Sequence, residues 1–254
     1  MMIRRRYSFS KAAENRPTHL PWRALIISCL LAWHVTAHSQ DIPPYLQTAR
    51  DLVNDVKPED NSYQHHGWIK LKGESTLFGK VEVSEVHADC SGLIDALLER
   101  SAPQVLKVFR SQNWKSYPKA ENYYAAISTD NGFEFRKRME DVEPGDIFAA
   151  KFDNEMDTGH VMLVDAKPRL IETPIEPIVA DTQQWEIVVI DSSSSHGKTD
   201  TRFRASGKKQ TGIGRGSVRV YTDKAGQLVG WVMTMSPRQK FKSNGSLAIG
   251  KPVL

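Results

Sequence analysis

The sequence predicts an α+β fold in which helices pack on an antiparallel sheet. Up to about residue 140 the longer apolar patterns recur at three and four positions, as on helices. From residue 147 they fall in short runs separated by Pro, Gly, Asp and Ser, as in strands. With 254 residues, 40% of them apolar and 25% charged, the chain can bury a real core, and its length favours one elaborated domain with one active site.

Residues 1–39 differ from the rest. Arg4, Arg5, Arg6, Lys11, Arg16 and Arg23 precede an apolar run from Ala24 to Trp33, followed by Ala37-His38-Ser39-Gln40, the pattern of a secretory leader. That run is about half of the roughly 20 residues that span a bilayer, so cleavage near Gln40 is expected and a stable membrane span is not. Ile26-Ile27-Ser28-Cys29 resembles a lipobox, but apolar residues continue beyond the cysteine and few precede it, so cleavage is favoured over lipidation. The expected destination is the periplasm or cell envelope. The leader holds six of the 34 Lys/Arg and one of the 30 Asp/Glu, so the remainder carries a net charge near −1. With that balance and no basic run interleaved with aromatics, nucleic acid is not an expected partner.

Further along, Leu46, Ala49, Leu52, Val53 and Val56 mark an amphipathic first helix that ends before Pro58. Residues 61 to 88, with Gly67, Gly73 and Gly79 among Trp68, Ile69, Leu71, Leu77 and Phe78, read as a loop-rich approach with a short hairpin. After Cys90, the residues Leu93, Ile94, Leu97 and Leu98 have helical period, with Pro103 beyond the end, so Cys90 stands at a helix N-terminus. Residues 104–140 read as a helical insert that could serve as a lid. Pro144-Gly145-Asp146 turns into the strand Ile147 to Ala150, and His160 to Val164 makes a second strand. A third, Trp185 to Ile190, stops at Asp191 and a serine run. Gly212-Ile213-Gly214-Arg215-Gly216 reads as a flexible turn, since no strand-glycine-helix unit of a dinucleotide site surrounds it. A hairpin about Asp223 to Gln227 closes the sheet, and residues 237–254 read as a loose tail.

Beyond the leader the chain has one cysteine, Cys90, so no intramolecular disulfide can form there. A lone cysteine often only fills space. Cys90 instead sits between Asp89 and Ser91-Gly92 at a helix start, where the helix dipole and a nearby imidazole favour the thiolate. His160, opening a strand after Gly159, is the candidate imidazole, with Gly159 expected to let the thiol approach. Asp191, ending the next strand, is the candidate group that orients the ring, with His196 in reserve. His65-His66 lacks the spacing of a metal site and reads as surface loop, so no metal is expected. Asp200-Thr201-Arg202 reads as a local loop salt bridge, although arginine's fork could also clamp a carboxylate.

Asp89-Cys90-Ser91-Gly92-Leu93, Pro144-Gly145-Asp146-Ile147 and Gly159-His160-Val161 occur in the order of the landmarks of NlpC-type cysteine peptidases, and over roughly residues 60–232 the chain resembles that papain-like family. The resemblance implies a papain-like fold with the nucleophile helix on an antiparallel sheet. It implies a catalytic domain spanning residues 40–236, Cys90 as nucleophile, His160 as base, no cofactor, and amide bonds of peptidoglycan peptides as substrate. The family's third polar residue is usually His, Asn or Gln, where Asp191 stands here. The family also often has a tyrosine shortly before the cysteine, whereas Tyr63 lies 27 residues upstream. Tyr63 and Ser91, with His196, are the expected oxyanion or substrate-binding residues. The alternatives are a papain-like lipid or ester hydrolase or acyltransferase, and a non-catalytic envelope protein that keeps the fold. Nothing in the sequence specifies an oligomer.

Overall fold

The computed structural model describes residues 42–65, 67–110, 118–153, 157–194, 196–203, 210–243 and 247–253. The expected leader, 1–39, lies outside the described residues, as do His66 and Ser195. Residues 41–254 cluster as one unit with its own core.

Helix α1 (Pro44–Asp55) begins at a proline and buries Leu46, Ala49 and Leu52 of the expected stripe, with Tyr45 added and Val53 only partly buried. The strands β1 (Asn61–Ser62), β2 (Trp68–Lys70) and β5 (Glu85–His87) form a small sheet in the order β1-β5-β2. Between β2 and β5 lies the hairpin β3 (Ser75–Thr76) to β4 (Gly79–Lys80). The chain then enters α2 (Cys90–Ser101), capped by the Asp89 carboxylate, which accepts a hydrogen bond from the Gly92 N–H at 2.7 Å.

Two more helices, α3 (Pro103–Arg110) and α4 (Ala120–Ser128), precede β6 (Phe133–Phe135). The described helices of the expected insert 104–140 contribute to the core, and Pro118, Lys119 and Ala120 from the same stretch line the cleft at Cys90. Phe109, Tyr123, Ile127 and Phe133 from this stretch are buried together with α1 and α2.

The remaining strands are β7 (Ile147–Lys151), β8 (Gly159–Val164), β9 (Arg169–Leu170), β10 (Gln183–Ser194), β11 (Thr211–Thr222), β12 (Leu228–Val232), β13 (Lys242–Ser243) and β14 (Leu247–Pro252). With β6 they make one antiparallel sheet, in the order β13-β12-β11-β10-β8-β7-β14-β6, with β9 beside β10. The continuous apolar runs of β7 and β8 follow from burial on both faces. Ile147, Ala149, Val161 and Leu163 join the helices in one core, while Phe148, Ala150, Met162 and Val164 join Val218, Val220, Trp231 and Ile249 in another. The architecture is thus α+β, with antiparallel pairing throughout the large sheet.

Two sequence expectations are corrected here. Residues 237–254 are not a loose tail: β14 lies between β7 and β6, with Leu247, Ala248 and Ile249 buried. The glycine-rich segment 212–216 is not a turn either, because it lies within β11 and pairs with Val189 to Ser193 of β10, a strand that continues past Asp191 to Ser194.

Candidate active site

Cys90 is the first residue of α2, where the first N–H groups of a helix have no intrahelical acceptor. Its helix packs on α1, β8 and β10 through Leu93, Ile94, Leu97 and Leu98. The segment leading into it is tied to the sheet by the Ser192 hydroxyl, which donates to the Ala88 carbonyl at 2.5 Å. One strand, β10, therefore carries both this tie and the neighbouring Asp191.

His160 stands second in β8. The pairing of β8 with β10 covers Val164 with Val189 and Leu163 with Ile190, and Asp191 follows at once, so the site lies where this ladder ends. Gly159, with φ of +147°, is required for a reason other than the expected one: a Cβ there would stand 2.0 Å from the Ala150 carbonyl oxygen of β7. The glycine thus makes room for the neighbouring strand.

The His160 ring is bonded on both sides. Its Nε2 donates to Asp191 Oδ2 at 2.5 Å, and its side chain also hydrogen-bonds Cys90, which leaves Nδ1 for the sulfur. Burial alone would lower the pKa of the ring, but the negative charge at Cys90 and the hydrogen bonds to Asp191 and Cys90 outweigh it and push the pKa up to about 10.

Asp191 is fully buried and serves more than His160. His196 Nε2 reaches the same Oδ2 at 2.9 Å, and Arg202 Nη2 donates to Oδ1 at 2.8 Å. Burial would raise the carboxyl, but His196, Arg202 and the hydrogen bonds from both histidines hold it well below the usual carboxylate range. The second nitrogen of His196, Nδ1, faces the Met233 carbonyl oxygen at 2.8 Å.

Sequence reasoning missed the next layer. Arg202 is 1% exposed and donates to Asp200, Ser193 Oγ and the Gly212 carbonyl as well as to Asp191. The expected local salt bridge between Asp200 and Arg202 is present, but it is buried and extends to Asp191, and Arg202 is not open to substrate. Gly214 and Gly216 clear the space for this network: a Cβ at Gly214 would lie 2.3 Å from Arg202 Nε, and one at Gly216 would lie 2.5 Å from Asp200 Oδ2. Glycines at alternate positions of a strand share one face, and that spacing was the available signal.

His160, Asp191 and His196 are also a potential metal-ligand cluster among the described residues. Their spacing fits shared protons better than a shared ion. Two ligands of a tetrahedral zinc stand about 3.3 Å apart, given bonds of about 2.0–2.1 Å. Asp191 Oδ2 lies 2.5 and 2.9 Å from the two Nε2 atoms, and Arg202 already occupies the other oxygen.

A cleft of about 670 Å³ opens over Cys90 and is lined also by Tyr63, His65, Asp89, Ser91 and Asp157. Tyr63 thus lies at the cleft. Burial first, then the negative charges at Cys90 and Asp89, raise its pKa, so the phenol stays a hydrogen-bond donor. The Ser91 hydroxyl donates to Asp89 Oδ1 at 3.3 Å. His65, exposed at the rim, faces Asp89 Oδ2 at 2.9 Å. His196, expected as a substrate-binding residue, does not line the cleft: it lies buried behind Asp191 and supports the acid.

Deeper in the cleft, α2 presents Asp95, whose Oδ1 accepts the Tyr123 hydroxyl at 2.5 Å while Oδ2 has no partner. Burial, opposed by the Tyr123 hydrogen bond and reinforced by Asp89 and Glu99, holds this carboxyl up to about 8.

No established family profile and no solved structure matches the chain. A protein of Acanthamoeba polyphaga mimivirus, designated "Uncharacterized protein R653", is 30% identical over 217 residues, covering 78% of this chain and 91% of the viral one. The chain belongs to that protein's family. The match covers most of both chains, so the relatedness extends well beyond the short motifs around the site.

Two outcomes follow from these contacts. Arg202→Met leaves Asp191 and Asp200 buried without their shared cation and should cost about 3–5 kcal/mol in urea unfolding; a loss under about 1 kcal/mol would contradict the assigned network. For Asp95, the folded protein keeps its proton to about pH 8, whereas the unfolded chain releases it near pH 4. Its contribution to stability is therefore full below about pH 4 and is lost as pH rises through about 8, by at most roughly 1.4 kcal/mol per pH unit. Unfolding free energies at pH 5 and pH 8 should differ less in Asp95→Asn than in wild type, and equal differences would refute the raised carboxyl.

Proposed function

We propose that the protein is an exported cysteine hydrolase of the papain-like, NlpC-type kind that cleaves amide bonds, with peptidoglycan peptides as its substrate class. The observation that carries this reading is the chain of contacts from Cys90 through His160 to Asp191, at a helix N-terminus on the floor of a cleft. Each part has a chemical task. The Cys90 thiolate attacks the substrate carbonyl carbon, forming the C–S bond and a tetrahedral oxyanion. The backbone N–H of Cys90, together with the Tyr63 hydroxyl, supplies donors for that oxygen.

The His160 imidazolium then gives its Nδ1 proton to the leaving amine as the C–N bond breaks, which leaves a thioester. The neutral ring next takes a proton from water as the hydroxide adds to the thioester carbon; the C–S bond then breaks, releasing the carboxylic acid and restoring the Cys90 thiolate beside the His160 imidazolium. Throughout, Asp191 keeps the ring oriented through Nε2 and stabilises its charged form.

The cleft offers partners to a peptide: Asp89, Asp95, Glu99, Asp157, Arg100 and Lys119 line it for amides and charged side chains, beside apolar Trp68, Ile69 and Ala88 for aliphatic parts. The resemblance of the motifs around Cys90 and His160 supports peptidoglycan as the source, and the basic-apolar leader of residues 1–39 supports export to where it lies.

Iodoacetamide alkylation of Cys90, followed from pH 5 to pH 9, tests the pair without a substrate. Wild type should react readily at pH 6, and His160→Ala should slow at that pH by at least about tenfold, as expected when the imidazole that draws the thiol's proton is removed. Muropeptides incubated with wild type should yield new masses that Cys90→Ser does not produce. Equal alkylation rates in wild type and His160→Ala would overturn the enzyme reading, whereas intact muropeptides with an activated thiol would overturn only the substrate.

A further inference from the structure

The hairpin of β3 and β4 carries the largest unexplained apolar exposure among the described residues. Leu77 and Phe78 at its tip are each 99% exposed. Large side chains left in water side by side at a protruding point mark an interaction site more often than an accident of packing. The hairpin is well built for such a role. Ser75 pairs with Lys80 and Thr76 with Gly79, and the Thr76 hydroxyl closes the turn on the Gly79 carbonyl at 2.8 Å. Below that, Gly73 N–H donates to Val81 and Val81 N–H donates to Glu74, at 2.8 and 2.9 Å.

The base is fastened to the helix that carries Cys90. Arg100 of α2 donates through Nε to Glu74 at 2.8 Å and through Nη2 to the Ile69 carbonyl at 3.0 Å. Arg100 and Ile69 both line the cleft, and so does Trp68, which is 47% exposed. The apolar tip is therefore fixed relative to the cleft wall.

We propose that this hairpin is a membrane-interface anchor: Leu77 and Phe78 enter the headgroup and acyl boundary of an anionic bilayer, Lys72 and Lys80 meet its phosphates, and the cleft is held at the lipid surface. The shape of the tip argues for lipid over a protein partner. A protein interface of ordinary size needs about 800 Å² from each side, with apolar residues surrounding its anchor. Here the tip is flanked by exposed Ser75, Thr76, Gly79 and Lys80. A bilayer requires no such surround, since it accepts an isolated apolar point into its outermost roughly 5–10 Å. The charges agree. Glu74 is held by Arg100, and Glu85 by Lys70 and the Trp68 ring N–H. That leaves exposed Lys72 and Lys80 against a single exposed acid, Glu82, a balance that favours an anionic surface.

This anchor is independent of the chemistry proposed for Cys90. Its test uses residues 41–254, which form a unit with its own core, so that the apolar leader segment plays no part. In flotation with phosphatidylglycerol/phosphatidylcholine vesicles, wild type should rise with the lipid, and Leu77→Ser/Phe78→Ser should lose at least about tenfold in partitioning. Lys72→Glu/Lys80→Glu should lose the preference over pure phosphatidylcholine. Cys90 alkylation should be unchanged in both variants, which reports an intact fold. Wild type that stays below the lipid, or a tip variant that floats equally well, would overturn the proposal. So would concentration-dependent self-association that the tip variant abolishes in the absence of any vesicle binding, since that outcome assigns the tip to a second copy of the chain.

Discussion

A carboxylate moved out of water without partners either takes up a proton or opens its surroundings to solvent. Asp191 does neither, because three side chains converge on its two oxygens: His160 and His196 on Oδ2, and Arg202 on Oδ1. The same contact that keeps the carboxylate ionised gives His160 its orientation and its proton, and His160 in turn is the partner of Cys90. Each member is buried, so removing any one leaves another charged and dry. The site is therefore a cooperative unit and its parts are not independently adjustable.

The fold exists around that unit in a specific way. β10 and β11 pair over twelve positions, an unusually long ladder, and its far end carries Asp191, Ser192 and Ser193 opposite Gly214, Ile213 and Gly212. Arg202 lies against this end and bonds both strands, through Asp191 and Ser193 on one and the Gly212 carbonyl on the other. Asn61 extends the connection to β1 by a paired hydrogen bond to the Ile213 backbone, and β1 with β5 leads directly to Cys90. Cys90, His160 and Asp191 thus come from α2, β8 and β10, three elements locked by the same set of buried bonds.

Much of this was legible from local patterns. The apolar stripe of α1, the helix that starts at Cys90, and the runs of β7, β8 and β10 could be read because each announces itself within a dozen residues. Cys90, His160 and Asp191 could be singled out for the same reason: each has a recognisable place at a helix start, a strand start or late in a strand. What escaped reading depends on contacts distant in sequence. β14 pairs Leu247 with Ala150, and its short Leu-Ala-Ile run after a polar stretch has no local cue strong enough to distinguish a strand from a tail. Arg202 reads as half of a local loop salt bridge until the bonds to Asp191 and the glycine trough opposite it are visible. His196 was placed near the chemistry by proximity to Asp191, but which side of the acid it occupies is a matter of the fold.

The central claim is that the buried network holds His160 as an imidazolium between Cys90 and Asp191. The most direct measurement is the pH titration of its ring nitrogens by NMR in histidine-labelled protein, with His160→Gln used to assign the signal. The account predicts a doubly protonated His160 ring that persists to about pH 10, and an earlier loss of the proton when Asp191 is replaced by Asn. A His160 ring that titrates near the ordinary value of about 6.5 and ignores Asp191→Asn would contradict it.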